Sequence, residues 1–224
     1  MMRGKILPYW KRDANSNNQY GAIGIGAMIV FIAMVLVAGI AATVIIQTSN
    51  TLEMQALSSG QETISEVSTG IMVETIEGYN TSGSIYLFAI EVKARAGSTD
   101  IDLSETVIEL SDSSTKNILT FSSTNFTNVS EINGNVFTWE FYPHNNNTLF
   151  SVMVVEDADE SCKWNTPVIN SGDHVILTVN VSACFGGLGT NKDIFGKVIP
   201  EEGSPGSISF TTPGALSDKV IDLQ

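Results

Sequence analysis

The residues able to do chemistry are few and widely spaced. Cys162 and Cys184 are the only cysteines, and their separation fits no C-x-x-C metal site. Outside a cell such a pair is expected to close a Cys162–Cys184 disulfide; the competing reading is two buried thiols behaving as small hydrophobes. His144 and His174 are the only histidines, and neither has a ligand partner at helical spacing. The run Glu156-Asp157-Ala158-Asp159-Glu160 offers carboxylate oxygens to a hard cation. It lacks the D-x-[DN]-x-[DN]-G pattern of an EF-hand loop, so a solvated acidic loop and no metal are expected. N-x-[ST] sequons place candidate glycans on Asn80, Asn125, Asn128, Asn146 and Asn180. There is no nucleophile elbow, P-loop or H-E-x-x-H. Carboxylates and serines are plentiful but stand in no catalytic arrangement, so neither an enzyme nor a cofactor is expected.

Charge narrows the partners. The 224-residue chain carries a formal charge of −13. Its first 21 residues are basic, with Arg3, Lys5, Lys11 and Arg12 against Asp13. The remainder holds 7 basic and 23 acidic side chains. Such an acidic body argues against nucleic acid as a partner. It suits a soluble exterior that resists non-specific association.

The elements that must carry these residues differ sharply along the chain. From Ala14 to Thr51 no residue is charged, and Ala22–Ile46 is apolar almost without a break. A helix of about 25 residues is about 38 Å long, more than a bilayer core requires. With the basic stretch before it held in the cytoplasm, the acidic body would lie outside. The run is too long for a cleaved secretory signal. Leu57, Ile64 and Ile71 repeat at seven, with Val67 and Ile76 on the same side. This pattern extends the helix to about Glu77, apolar first and amphipathic later, with Glu53, Glu62, Glu66, Glu74 and Glu77 on the polar side. A two-helix hairpin broken near Gly60 is the competing reading. Gly24, Gly26, Ala38, Gly39, Ala41 and Ala42 would let helices approach closely in an apolar setting; they are equally compatible with a plain membrane anchor.

Beyond Asn80 the period becomes two. Strands are expected at Ser84–Arg95, Glu105–Leu110, Asn117–Phe121, Asn135–Tyr142, Leu149–Val155, His174–Val181, Asp193–Ile199, Gly206–Thr211 and Lys219–Leu223. Asn133-Gly134 reads as a hairpin turn. Many short strands and no second long helix predict an α+β chain: a long N-terminal helix followed by an antiparallel, immunoglobulin-like β-sandwich.

Gly21-Ala-Ile-Gly-Ile-Gly-Ala-Met-Ile-Val-Phe-Ile-Ala-Met-Val-Leu-Val-Ala38, with Gln47-Thr-Ser-Asn50 after it, resembles the opening of archaeal flagellins (archaellins), which belong with the type IV pilin-like proteins. Ser59–Val73 resembles the helix that follows the membrane segment in that family, and Gly206–Pro213 its closing strands. The resemblance implies three parts: a cleaved class III leader at 1–21, a helix at 22–78 that anchors the precursor and then forms a filament core, and an outer domain at 79–224. It implies cleavage between Gly21 and Ala22 by a membrane protease similar to prepilin peptidase. The implied partners are further copies of the chain or paralogous subunits, the membrane before assembly, a membrane platform and a cytoplasmic assembly ATPase. The implied function is a structural subunit of a secreted swimming filament. An adhesive pilin or a single-pass surface protein is the alternative. Helix length separates a filament from the single-pass anchor, since an anchor needs about 20 residues and a filament core can use more than twice that number. An adhesive pilin shares the architecture, so swimming is what the resemblance alone implies.

Overall fold

The structure, a computed structural model, describes residues 14–143 and 146–224; His144 and residues 1–13 of the expected leader lie outside them. Two units are distinguished, one up to Gly60 and one from Gln61 to Gln224.

Among the described residues the first unit is one helix, with no second strand or helix to pack on. Helix α1 runs from Ala14 to Ser68, 55 residues, about 82 Å at 1.5 Å per residue. No proline interrupts it, and the hairpin break considered near Gly60 does not occur. The helix ends nine residues before the expected Glu77. Ile71 and Ile76 do continue the apolar pattern, but on a strand, β1 (Ile71–Thr81). β-branched residues crowd that segment, and Gly70 precedes it in a tight space: a Cβ there would sit 2.8 Å from the Ser204 carbonyl. Strand β1 turns directly into β2 (Ser84–Ala94) through Ser82 and Gly83, with φ of 57° and 84°. Two left-handed residues make the type I′ turn whose twist matches an antiparallel hairpin. The hairpin pulls Ile71 opposite Ala94, and that pairing outcompetes further helix.

The second unit is built on one curled, mixed sheet. Its other strands are β3 (Ile101–Asp102), β4 (Val107–Ser111), β5 (Lys116–Phe121), β6 (Thr127–Asn128), β7 (Leu149–Glu156), β8 (Cys162–Lys163), β9 (Thr166–Ile169), β10 (His174–Asn180), β11 (Asp193–Ile199), β12 (Gly206–Thr211) and β13 (Val220–Asp222). The hydrogen-bonded order is β12-β11-β4-β5-β7-β10-β2-β1-β13, with β6 beside β7 and a separate β3-β9-β8 sheet. The α+β class is as expected. The purely antiparallel sandwich is not, because β5 and β6 each pair with β7 in parallel. A parallel neighbour requires a crossover connection, and residues 122–148 provide it. There the expected Asn135–Tyr142 strand is replaced by turns and a 3₁₀ turn at Trp139–Phe141. Asn133 and Gly134 do adopt left-handed φ, 52° and 76°, but they cap the 3₁₀ turn Val129–Ile132 instead of joining two strands.

Curling brings the two ends of the path together over a common core. Phe88 of β2 meets Phe210 of β12 edge-on at 5.5 Å. A parallel bridge joins Gly70 to Ser204. Ile76, Ile90, Leu110, Phe150, Leu177 and Ile194 are fully buried between them. A second, smaller cluster lies on the outer face of β1, β2, β10 and β7. Leu87, Ala89, Met153 and Ile176 are covered there by Ile132, Phe137 and Tyr142 from the crossover. Short helix α2 (Val181–Phe185) follows β10, capped by Asn180 and ended by Gly186 at φ 75°.

Candidate assembly helix and surface sites

The principal candidate site is α1 itself. Fifteen large apolar side chains between Ile23 and Ile46 are each more than half exposed. Its most apolar 18-residue stretch has a mean hydropathy of 3.0 and none of it buried within the chain. At about 1.5–3 kcal/mol per side chain, leaving those fifteen in water costs on the order of 30 kcal/mol. The apolar surface therefore belongs in a bilayer or against other helices.

The polar groups of the helix agree with that setting. The hydroxyls of Thr43, Thr48 and Thr51 donate to the carbonyls of Gly39, Val44 and Gln47, each at 2.9 Å. Folded back in this way they present no unpaired donor to an apolar neighbour. Gly24, Gly26 and Gly39 have nothing within 4 Å of where a Cβ would stand. Among the described residues their smallness serves no packing. Gly21 and Ala22, the expected processing junction, lie inside α1. Glu53, Glu62 and Glu66 stand on the helix, whereas Glu74 and Glu77 lie on β1. Glu74 has a basic partner, Lys93. Lys93 and the nearby His174 hold its carboxyl below the ordinary range, the Lys93 hydrogen bond most of all.

Of the chemically capable residues, the cysteines are not brought together. Cys162 is buried on β8, beside the start of β10, and Cys184 lies in α2, past the end of β10. The seven-residue β10 between those two places spans about 20 Å. A disulfide needs Cα atoms within about 7 Å, so the expected Cys162–Cys184 bridge is corrected to two free thiols. Burial raises both, Cys162 to about 12 and Cys184 to about 11.

The sequons divide by geometry. Asn180 is fully buried; its amide donates to the Pro143 carbonyl and its side-chain oxygen caps α2 through the Ala183 N–H. The expectation of a glycan there is withdrawn. Asn80 donates to the carbonyls of Leu216 and Asp218, and Asn125 donates to that of Glu140. Asn128 and Asn146 differ. Each uses its side-chain oxygen to accept from the N–H and hydroxyl of its own sequon Ser130 or Thr148, at 2.7–3.0 Å. Neither donates its amide to another described group.

The acidic loop is more organised than a solvated one. Asp157 and Asp159 converge with Asp173, their carboxylate oxygens within 4.8 Å of one another. Asp173 is 2% exposed. Its carboxyl is pushed up chiefly by burial and also by Asp157 and Asp159, against the hydrogen bond from the Asn170 N–H. Asp159 is held down, first by the Asn170 amide. Three acidic side chains offering oxygen are the donor set that a hard divalent cation takes. Asp173 stands too far along the sequence from Asp159 for spacing to reveal it; the β9–β10 turn supplies it. His174 lies on β10 with Nδ1 3.3 Å from Glu74 and 3.4 Å from Glu91.

Comparisons with known proteins agree with this architecture. The family description archaeal-type flagellin matches residues 21–210. Flagellin B2 of Methanocaldococcus jannaschii is 40% identical, over 91% of this chain and 95% of its own length. Flagellin B5 of Pyrococcus abyssi is 41% identical, over 91% and 99%. The crystal structure of archaeal flagellin FlaB1 from Methanocaldococcus jannaschii superposes with a TM-score of 0.63 at 30% identity, covering 70% of this chain and 97% of that one. The archaeal flagellum of Methanospirillum hungatei shares the fold at a TM-score of 0.60 and 15% identity, over 88% of this chain and 98% of its own. An unburied apolar helix joined to a packed β-domain, with family similarity running from Gly21 nearly to the C-terminus, establishes that the chain belongs to the archaeal-type flagellins.

Proposed function

We propose that this chain is the structural subunit of an extracellular archaeal flagellar filament used for swimming. The observation that carries the reading is α1: 55 residues long and unburied along its most apolar stretch. Bundled copies of α1 form the filament core, and the β-domains form the shell. The role is structural and includes no catalytic step.

Before assembly the apolar half of α1 lies in the membrane. A prepilin-peptidase-like protease removes the leader between Gly21 and Ala22. Passing from lipid to a helical core exchanges one apolar neighbourhood for another, so hydrophobic burial barely changes and close helix contact decides the outcome. Subunits therefore enter at the filament base through a membrane platform, and a cytoplasmic ATPase drives the transfer. N-linked glycans occupy Asn128 and Asn146, the two sequons whose amides donate to no other described group. Co-assembly with paralogous subunits is compatible with the same helix packing.

Deleting the chain should remove filaments seen by electron microscopy and abolish swimming. Mass spectrometry of isolated filaments should find an N-terminal peptide starting at Ala22. Cells that lose the chain yet keep normal filaments and swimming would refute the reading.

A further inference from the structure

The β-domain carries a protruding aromatic and an aromatic-lined groove at opposite ends. Trp164 sits in the two-residue connection between β8 and β9, where Lys163 pairs with Thr166. It is 64% exposed, more than any other large apolar side chain among described residues 71–224. A groove of about 330 Å³ is lined by Tyr79, Thr81, Tyr86, Leu87 and Phe137. Its shape has a local cause. The β1–β2 register shifts between Tyr79 and Asn80, leaving Tyr86 without a partner on β1. An extra residue in one strand sends two consecutive side chains toward one face. Tyr86 and Leu87 thus stand beside Tyr79, whose ring stacks on Phe137 at 5.2 Å.

These features cannot meet within one molecule. The groove lies beside the Ser82–Gly83 turn. The β8–β9 hairpin pairs with β3, the strand that follows Ala94 at the far end of β2. Eleven residues of β2 separate the two ends, about 33 Å. Charge favours their meeting across molecules. Lys163, next to Trp164, has no ion pair among the described residues. Glu77, two residues from Tyr79 on the same face, also has none. Its carboxyl is pushed up first by burial and then by Asp222 and Glu91. The Tyr142 hydroxyl behind Phe137 is buried without a hydrogen-bond partner. Two different complementary patches on one molecule give a head-to-tail contact, which propagates into rings or helical filaments. Tryptophan is among the residues most enriched at interface hot spots, which sit in well-packed, desolvated pockets.

We propose that, in the filament read above, Trp164 of each subunit docks into the Tyr79–Tyr86–Phe137 groove of a neighbouring copy, with Lys163 facing Glu77 of that neighbour. The contact ties β-domain to β-domain, separately from the packing of α1.

The test uses full-length chain in assembled filaments. Asn165→Cys and Thr81→Cys place thiols at exposed positions beside the knob and the groove. Treating filaments of the double variant with a short bis-maleimide should give a ladder of dimers and higher multimers on a denaturing gel, while each single variant stays monomeric. Normal filaments in which the double variant also stays monomeric would overturn the docking and leave the filament role intact; absence of filaments in the unaltered chain would instead overturn that role. Trp164→Ala and Tyr86→Ala should each lower the denaturant concentration at which filaments dissociate, and the combined variant should fall no further than the larger single effect. Additive losses would contradict a shared contact.

Discussion

Replacing Gly39 with leucine separates an anchor from an assembling helix. A Cβ at position 39 meets nothing within 4 Å in the chain. The substitution therefore leaves folding of the subunit unstrained. It should favour the isolated helix by about 1 kcal/mol, the cost of glycine in a helix interior. Membrane insertion should also improve slightly, since leucine is favoured at a membrane helix centre by a few tenths of a kcal/mol. A simple anchor would thus be retained or strengthened. In a filament core the same side chain must fit where helices approach closely, and overpacking costs about 1–3 kcal/mol. Repeated in every subunit, that is about 5- to 150-fold in each addition equilibrium. Membrane fractionation should find unchanged or increased precursor, while electron microscopy finds few or short filaments. Filaments as long and numerous as those of the unaltered chain would show that Gly39 is not a close-contact position, and the helix-packing argument would fail there.

Three further outcomes follow. Asp173 carries a raised carboxyl, so its contribution to folding is present below the ordinary aspartate range and is lost as pH rises through its folded value; Asp173→Asn should stabilise the chain at neutral pH and gain less at acid pH, as read by thermal melting. A variant no more stable than the unaltered chain at neutral pH would contradict the cost of burying that carboxylate. Asn128→Gln and Asn146→Gln should each remove one glycan mass from filament peptides, whereas Asn180→Gln changes no glycan and lowers stability by about 1–2 kcal/mol through the lost cap and buried hydrogen bond; a glycan found on Asn180 would contradict its burial. Cys162 and Cys184 should resist alkylation in the native chain and both react after unfolding without reductant; recovery of a Cys162–Cys184 peptide under those conditions would reinstate the bridge.

Local signals in the sequence suffice wherever one element needs no distant partner. Strands at Asp193–Ile199 and Gly206–Thr211 fall where alternation placed them. The apolar run gave the helix. Its C-terminal end is masked in the sequence because Leu57, Ile64 and Ile71 sustain a seven-residue repeat through the junction. The Ser82-Gly83 turn, with alternation on both sides, was the available contrary signal. Residues 122–148 were opaque for another reason: they serve as a crossover, and the parallel β5–β7 pair that demands one is a long-range choice. Asn133-Gly134 carried true left-handed propensity but served as a cap. Asp173, the aromatic groove and the separation of the cysteines all depend on register or on where β10 begins and ends, which a linear pattern does not encode.

Helix α1, unburied along its apolar stretch in the lone subunit, should become interior in the filament. Hydroxyl-radical footprinting of intact native filaments tests it with residues already present. Met28, Met34 and Met54 are 71%, 69% and 64% exposed in the single chain, while Met153 is fully buried. In filaments the three helix methionines should oxidise as slowly as Met153, and after dissociation in denaturant they should oxidise quickly. Rapid oxidation of Met28 and Met34 in intact filaments would contradict a core built from α1.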